Sequence, residues 1–157
     1  GSGTILREVE KAAQMLADDW GVKSNIWSVT SFNELTREAQ AIDRENRFSV
    51  GPPKVPYITQ CLANAKGPVI ATTDYMRNYA EQVRKYIPAR YEVLGTDGFG
   101  RSDSRAALRD FFEVDANYVT IAALKALVDE GEIAASVVTD AIKKYGVDIG
   151  KPNPMTV

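Results

Sequence analysis

The sequence predicts an α/β fold of three layers, helices on both faces of a mostly parallel or mixed sheet, and three observations carry that prediction. Helical segments alternate with at least three short apolar, β-prone runs, the order expected when helices cross over between strands. Most helical segments carry their own start or stop residues. The 157 residues, 45% hydrophobic and 25% charged, suit one domain with a well-formed core.

Ile5, Val9, Ala12, Ala13, Leu16, Ala17 and Trp20 recur at helical spacing, with charged residues mostly between them. An amphipathic helix is expected there, stopped by Gly21. The run Asn25–Val29 reads as the first strand. Ser31-Phe32-Asn33-Glu34 fits a capping box, so a second helix should start near Phe32 and run through Leu35, Ala39 and Ile42 toward Arg44. Gly51-Pro52-Pro53 and Pro56 then break regular structure and act as a rigid connector.

Tyr57, Ile58, Cys61, Leu62 and Ala65 fall on one face of a short helix. Pro68–Thr72 is a compact apolar strand. Asp74 is the expected cap of a helix carrying Met76, Tyr79, Ala80, Val83 and Tyr86, ended by Pro88. Tyr91–Leu94 supplies the next strand. A turn-rich stretch from Gly95 to Ser104 leads into a helix ending near Phe112; Asp115 caps Ala116–Glu130, stopped at Gly131; Ser136 and Gly146 bracket a last helix.

Composition excludes several functions. The chain has no histidine, which removes His-based triads and the commonest transition-metal ligand. A net charge of -2, spread along the chain, offers no basic stripe for nucleic acid. The single cysteine, Cys61, cannot form an internal disulfide and reads as a small core residue in a reducing compartment, so the cytoplasm is expected. No run of about 20 apolar residues is present to span a bilayer, and Gly1–Trp20 lacks a signal-peptide pattern.

The most informative local feature is the loop Gly95–Ser104, with three glycines between a strand's carboxyl end and a helix amino terminus. Ligands often bind in such crevices. Asp97, Phe99, Arg101, Ser102 and Asp103 are therefore the candidate interface or anion-loop residues. The spacing is neither a P-loop nor a dinucleotide fingerprint, and a structural turn with Ser102 or Asp103 as helix cap accounts for it as well. Asp97 and Asp103 could serve a hydrolase or isomerase only as a tuned carboxylate pair, which spacing does not supply. Tyr75, Tyr79 and Tyr86 lie partly on one helical face, as core packing or a binding surface. Trp20 and Trp27 are either core residues or subunit anchors.

The stretch Val93-Leu94-Gly95-Thr96-Asp97-Gly98-Phe99-Gly100-Arg101-Ser102-Asp103-Ser104-Arg105 closely resembles the C-terminal domain of the homodimeric, bacterial type of pyruvate dehydrogenase. Phe112–Val119, Ser28–Phe32, Val55–Ile58, Thr73–Met76, Glu81–Arg84 and Asn153-Pro154 continue the resemblance, which covers essentially the whole chain. It implies a parent enzyme that decarboxylates pyruvate with thiamine diphosphate and magnesium and passes the acetyl unit to a lipoyl group on dihydrolipoyl acetyltransferase. It implies, too, that cofactor and catalytic residues lie in preceding domains, so that this chain holds no catalytic, cofactor or metal residue and acts in structure and dimer assembly. Its partners would be those domains, the dimer partner and the acetyltransferase. The alternative is a small-molecule or anion-binding regulatory module using the 95–104 loop.

The implied fold is transketolase C-terminal-like, a five-stranded mixed sheet flanked by helices. Gly1–Leu6 then looks like the turn after a first strand that this chain lacks. The resemblance departs at Asn46–Pro53, where the family often has a histidine-containing loop and this chain has none.

Overall fold

A computed structural model describes residues 1–157. Seven α-helices and two strands follow in the order α1 (Leu6–Trp20), α2 (Phe32–Arg47), α3 (Tyr57–Leu62), β1 (Val69–Thr72), α4 (Arg77–Glu81), β2 (Tyr91–Leu94), α5 (Arg105–Phe111), α6 (Ala116–Asp129) and α7 (Ser136–Tyr145). The strands pair in parallel, with Val69 opposite Tyr91 and Thr72 opposite Leu94.

Alternation along these strands divides the core between two layers, because successive side chains point to opposite faces. Ala71, Tyr91 and Val93 face a cluster built from Phe32, Ile58, Leu62, Ala80, Val83 and Ile87, on α2, α3 and the segment around α4. Ile70 and Leu94 face the opposite way, onto Ala12 of α1 and Ala116 and Val119 of α6. The fold is thus α/β with three layers. Beyond α1 and α6, Leu16, Leu124 and Ala141 form a further cluster that seats α7. The sheet is narrower than the resemblance implies, with two strands, both parallel.

Local signals explain where the helices begin and end. Gly21 adopts φ 66° and closes α1. The Ser31 side chain accepts from the Glu34 amide at 3.2 Å, capping α2. The return half of that capping box does not form, because Glu34 pairs with Arg37 instead. Ser104 caps α5, accepting from Ala107. Asp115 caps α6, accepting from Asn117 and Tyr118. Burial raises the Asp115 carboxyl above its ordinary range, against those two amides.

Three expectations are corrected. Asn25–Val29 is not a strand of the sheet: its ladder bonds are to one residue, Gly1, whose amino group donates to the Trp27 carbonyl at 2.9 Å and whose carbonyl accepts from the Val29 amide at 2.9 Å. One paired residue does not make a ladder. The helix expected from Met76 to Tyr86 is broken into α4 and a 3₁₀ turn at Arg84–Tyr86. That turn carries the Tyr86 hydroxyl to Asp43 of α2, to which it donates at 2.8 Å, and its carbonyl to the Thr59 hydroxyl. Finally, Asp74 does not cap α4, a role taken by Asp97.

Between α2 and α3 the chain makes a loop with a closed neck. Asn46 uses both ends of its side-chain amide on Lys54, donating to the carbonyl and accepting from the amide, each at 2.8 Å. Lys54 also pairs with Glu45, and Arg44 lies over the Phe48 ring. Phe48 and Val50 project from this loop into solvent. No helix is long and apolar enough to cross a membrane.

Candidate functional site

The parallel strands end together at Thr72 and Leu94, so the segments that follow them are neighbours at the carboxyl edge of the sheet. Thr96 ties them: its amide donates to the Tyr75 carbonyl at 2.9 Å and its hydroxyl to the Asp74 carbonyl at 2.5 Å. Asp97 adds a two-point clamp on Arg77, accepting from the backbone amide at 3.0 Å and from Nε at 2.8 Å. One carboxylate thus satisfies an open amide at the start of α4 and orients the guanidinium beside it. Gly95 permits this approach, since a Cβ there would lie 2.7 Å from Arg77 Cγ and 2.8 Å from the Tyr75 carbonyl oxygen.

The C-terminal tail closes the other side. Gly98, at φ 100°, packs against the Pro154 carbonyl, which a Cβ would approach to 2.3 Å. Only glycine meets both demands. Upstream in the tail, the Lys151 ammonium caps the carboxyl end of α5, donating to the carbonyls of Asp110 and Phe111, and lies 4.4 Å from the centre of the Tyr118 ring. Burial raises the Tyr118 hydroxyl well above its ordinary range, with Asp110 and Glu113 adding to the effect. Glu113, at φ 61°, turns the backbone left-handed just after α5. Arg77, Asp97, Glu113, Lys151 and Met155 line the small crevice that results, about 210 Å³.

The candidate residues of the 95–104 loop do not converge. Asp97 turns toward Arg77. Phe99 is 78% exposed. The Arg101 guanidinium lies 4.9 Å over the Phe111 ring. Asp103 accepts from the adjacent Ser104 amide at 2.6 Å. Ser104, not Ser102 or Asp103, caps α5, because its extended backbone sets the hydroxyl over the first turn. Ser102 is exposed and makes no side-chain hydrogen bond. Asp97 and Asp103 thus have different partners and do not form a mutually tuned carboxylate pair.

The other proposed features divide. Tyr75 and Tyr79 are exposed and meet edge to face with ring centres 5.6 Å apart, whereas Tyr86 is partly buried. Trp20 sits at the α7 layer and donates to the Tyr145 hydroxyl at 2.8 Å, while Trp27 is about half exposed. Cys61 is half-buried. Lys151 and Met155 are the site residues that sequence reasoning did not single out, whereas the run Asp74-Tyr75-Met76-Arg77 after the Pro68–Thr72 strand already invited the idea of a site. No short-range pattern marks Lys151 and Met155, since their contacts lie 41 and 78 residues away.

Comparison with known proteins gives a consistent result. Residues 1–115 match the family model described as a transketolase-like TK C-terminal domain. A pyruvate dehydrogenase E1 component of Pseudomonas aeruginosa is 57% identical over 157 residues, covering 99% of this chain and 18% of that protein. The corresponding component of Escherichia coli is 56% identical over 156 residues, 98% of this chain and 17% of that protein. That of Mycobacterium tuberculosis is 47% identical over 148 residues, 94% and 16%. The chain spans less than a fifth of the length of these relatives.

Proposed function

The chain belongs to the transketolase-like C-terminal domain family, and from that premise we propose that it is the non-catalytic assembly domain at the C-terminus of a pyruvate dehydrogenase E1 component. One observation carries the reading: 57% identity to such a component sustained over 99% of the chain. The enzyme so proposed is an oxidoreductase that decarboxylates pyruvate with thiamine diphosphate and magnesium and acetylates the lipoyl group of dihydrolipoyl acetyltransferase. Its partners are the preceding domains, a second subunit and the acetyltransferase, in the cytoplasm.

The crevice supports an assembly role over a cofactor role. Both Asp97 oxygens are engaged by Arg77, and no three His, Cys, Asp or Glu side chains gather as metal ligands. These residues do not fit a magnesium-bound diphosphate. The proposal therefore assigns that group to other domains.

The test compares two proteins. A full-length enzyme carrying this chain should acetylate a lipoyl domain, and deleting the chain should abolish both dimer and activity. The chain alone, supplied with thiamine diphosphate, magnesium and pyruvate, should release no carbon dioxide above blank; release would overturn the proposal. An anion-binding role for the 95–104 loop has less support, because Arg101 stacks on Phe111 and Ser104 already occupies the Ala107 amide. Calorimetric binding of phosphate, nucleotides or thiamine diphosphate that vanishes in Arg101→Ala would favour it.

A further inference from the structure

We infer that the crevice between Arg77 and Glu113 takes a free α-amino acid with an apolar side chain, its carboxylate on the Arg77 guanidinium and its ammonium on the Glu113 carboxylate. The inference goes beyond the assembly role proposed above and does not depend on it. It also differs from an anion site in the 95–104 loop, since Arg101 takes no part.

The carboxylate position follows from what Arg77 has left to donate. Asp97 accepts from its backbone amide and from Nε, which fixes the plane of the guanidinium and leaves its Nη1–Nη2 edge. That edge meets only the Met155 sulfur, 3.9 Å from Nη2, and a thioether is a weak acceptor. A guanidinium held in this way presents two parallel N–H groups, the arrangement a carboxylate accepts as a bidentate pair. Its orientation is set before the ligand arrives, which lowers the ordering cost of binding. Lys151 does not compete, because its ammonium is spent on the carbonyls of Asp110 and Phe111.

The ammonium position follows from Glu113. It is the only non-glycine residue of the chain at positive φ, 61°, a conformation that glycine or asparagine adopts at less cost. The end of α5 explains the left-handed turn but not a carboxylate there. That carboxylate lines the crevice and accepts no hydrogen bond, the Lys151 ammonium standing 3.8 Å away, beyond hydrogen-bond reach. Residues held in such backbone regions gather at ligand sites.

The crevice then selects among carboxylates. Leu94, Phe112, Pro154 and Met155 supply apolar wall for a hydrocarbon side chain. A simple monocarboxylate or a phosphate on Arg77 would bring its charge against Glu113 in the same small space, whereas a ligand with its own ammonium turns that repulsion into attraction. The volume of about 210 Å³ lies below the roughly 300–1,000 Å³ of pockets for drug-sized ligands, which suits an amino acid of the size of leucine and excludes a nucleotide.

Amide chemical-shift titration of the 157-residue chain with L-leucine tests the inference. Saturable shifts are expected at Gly95, Glu113 and Met155, with a dissociation constant in the high micromolar to millimolar range, because the Arg77 and Glu113 side chains stay 45% and 44% exposed and water screens both contacts. N-acetyl-L-leucine, which lacks the ammonium, and L-leucinamide, which lacks the carboxylate, should each bind at least tenfold more weakly. Arg77→Gln and Glu113→Asn should weaken L-leucine at least tenfold, while Arg101→Ala leaves it unchanged. Asparagine tolerates the positive φ, so Glu113→Asn should keep the circular dichroism of the parent chain and bring L-leucine and N-acetyl-L-leucine to within about threefold of each other, a coupling that mere loss of structure would not produce. Absence of shifts up to tens of millimolar L-leucine would overturn the inference. So would equal binding of L-leucine and N-acetyl-L-leucine to the parent chain, or phosphate shifting the same amides where L-leucine does not. Each of these results leaves the assembly role standing, because dimerisation and lipoyl acetylation by the full-length enzyme decide that separately.

Discussion

Arg109 reaches back 101 residues to Glu8, its Nη1 donating to one carboxylate oxygen at 2.5 Å while the other accepts from the Ala116 amide at 3.1 Å. One carboxylate therefore ties α1 to α5 and to the first turn of α6. The pair is only 15% and 16% exposed, which makes loss of one partner costly because the other stays behind, largely removed from water. Glu8→Ala should lower stability by about 2–3 kcal/mol in urea unfolding, with Glu8→Leu combined with Arg109→Met costing less than the two single changes together.

Gly98→Ala should detach the tail without unfolding the domain. The new methyl would require both φ 100° and an approach of 2.3 Å to the Pro154 carbonyl, neither of which an alanine accepts. The Met155 and Thr156 amides, now bonded to Asn153, should lose hydrogen-exchange protection while those of β1 and β2 keep it. Unchanged protection in the tail would count against a seat at Gly98.

Tyr145→Phe tests the attachment of α7. It removes the acceptor of the Trp20 indole N–H and a donor to Asp19, leaving a half-buried N–H to find water. A loss of about 1–2 kcal/mol is expected. Tryptophan emission should shift to the red as water reaches the indole.

Sequence reasoning read the long helices well, because α1, α2 and α6 each combine an apolar stripe with a stop glycine or a capping hydroxyl or carboxylate, signals complete within a few residues. It read β1 and β2 for a similar reason: each is a short apolar run between turns. Asn25–Val29 looks the same in composition, yet a strand exists only with a partner, and partner availability is not written in five residues. The cap of α4 shows the same limit. Asp74 and Asp97 are chemically identical candidates, and the choice of the one 20 residues away follows from the parallel register that places two loops side by side. At the candidate site, the glycines, Phe99 and the Asp74–Arg77 run were legible, but Lys151 and Met155 enter through contacts that only the finished fold creates.

The Asn46–Lys54 neck has a consequence for how this scaffold can be altered. Both hydrogen bonds sit at the base of the loop, and the Phe48 and Ser49 amides are bonded to the last turn of α2, so that residues 50–53 lie beyond the points at which the loop is fastened. New peptide inserted there pays chiefly loop-closure entropy, about 0.6 kcal/mol per doubling of length. An epitope, a fluorophore-binding tag or a foreign loop could be grafted at this position with the helices on either side undisturbed.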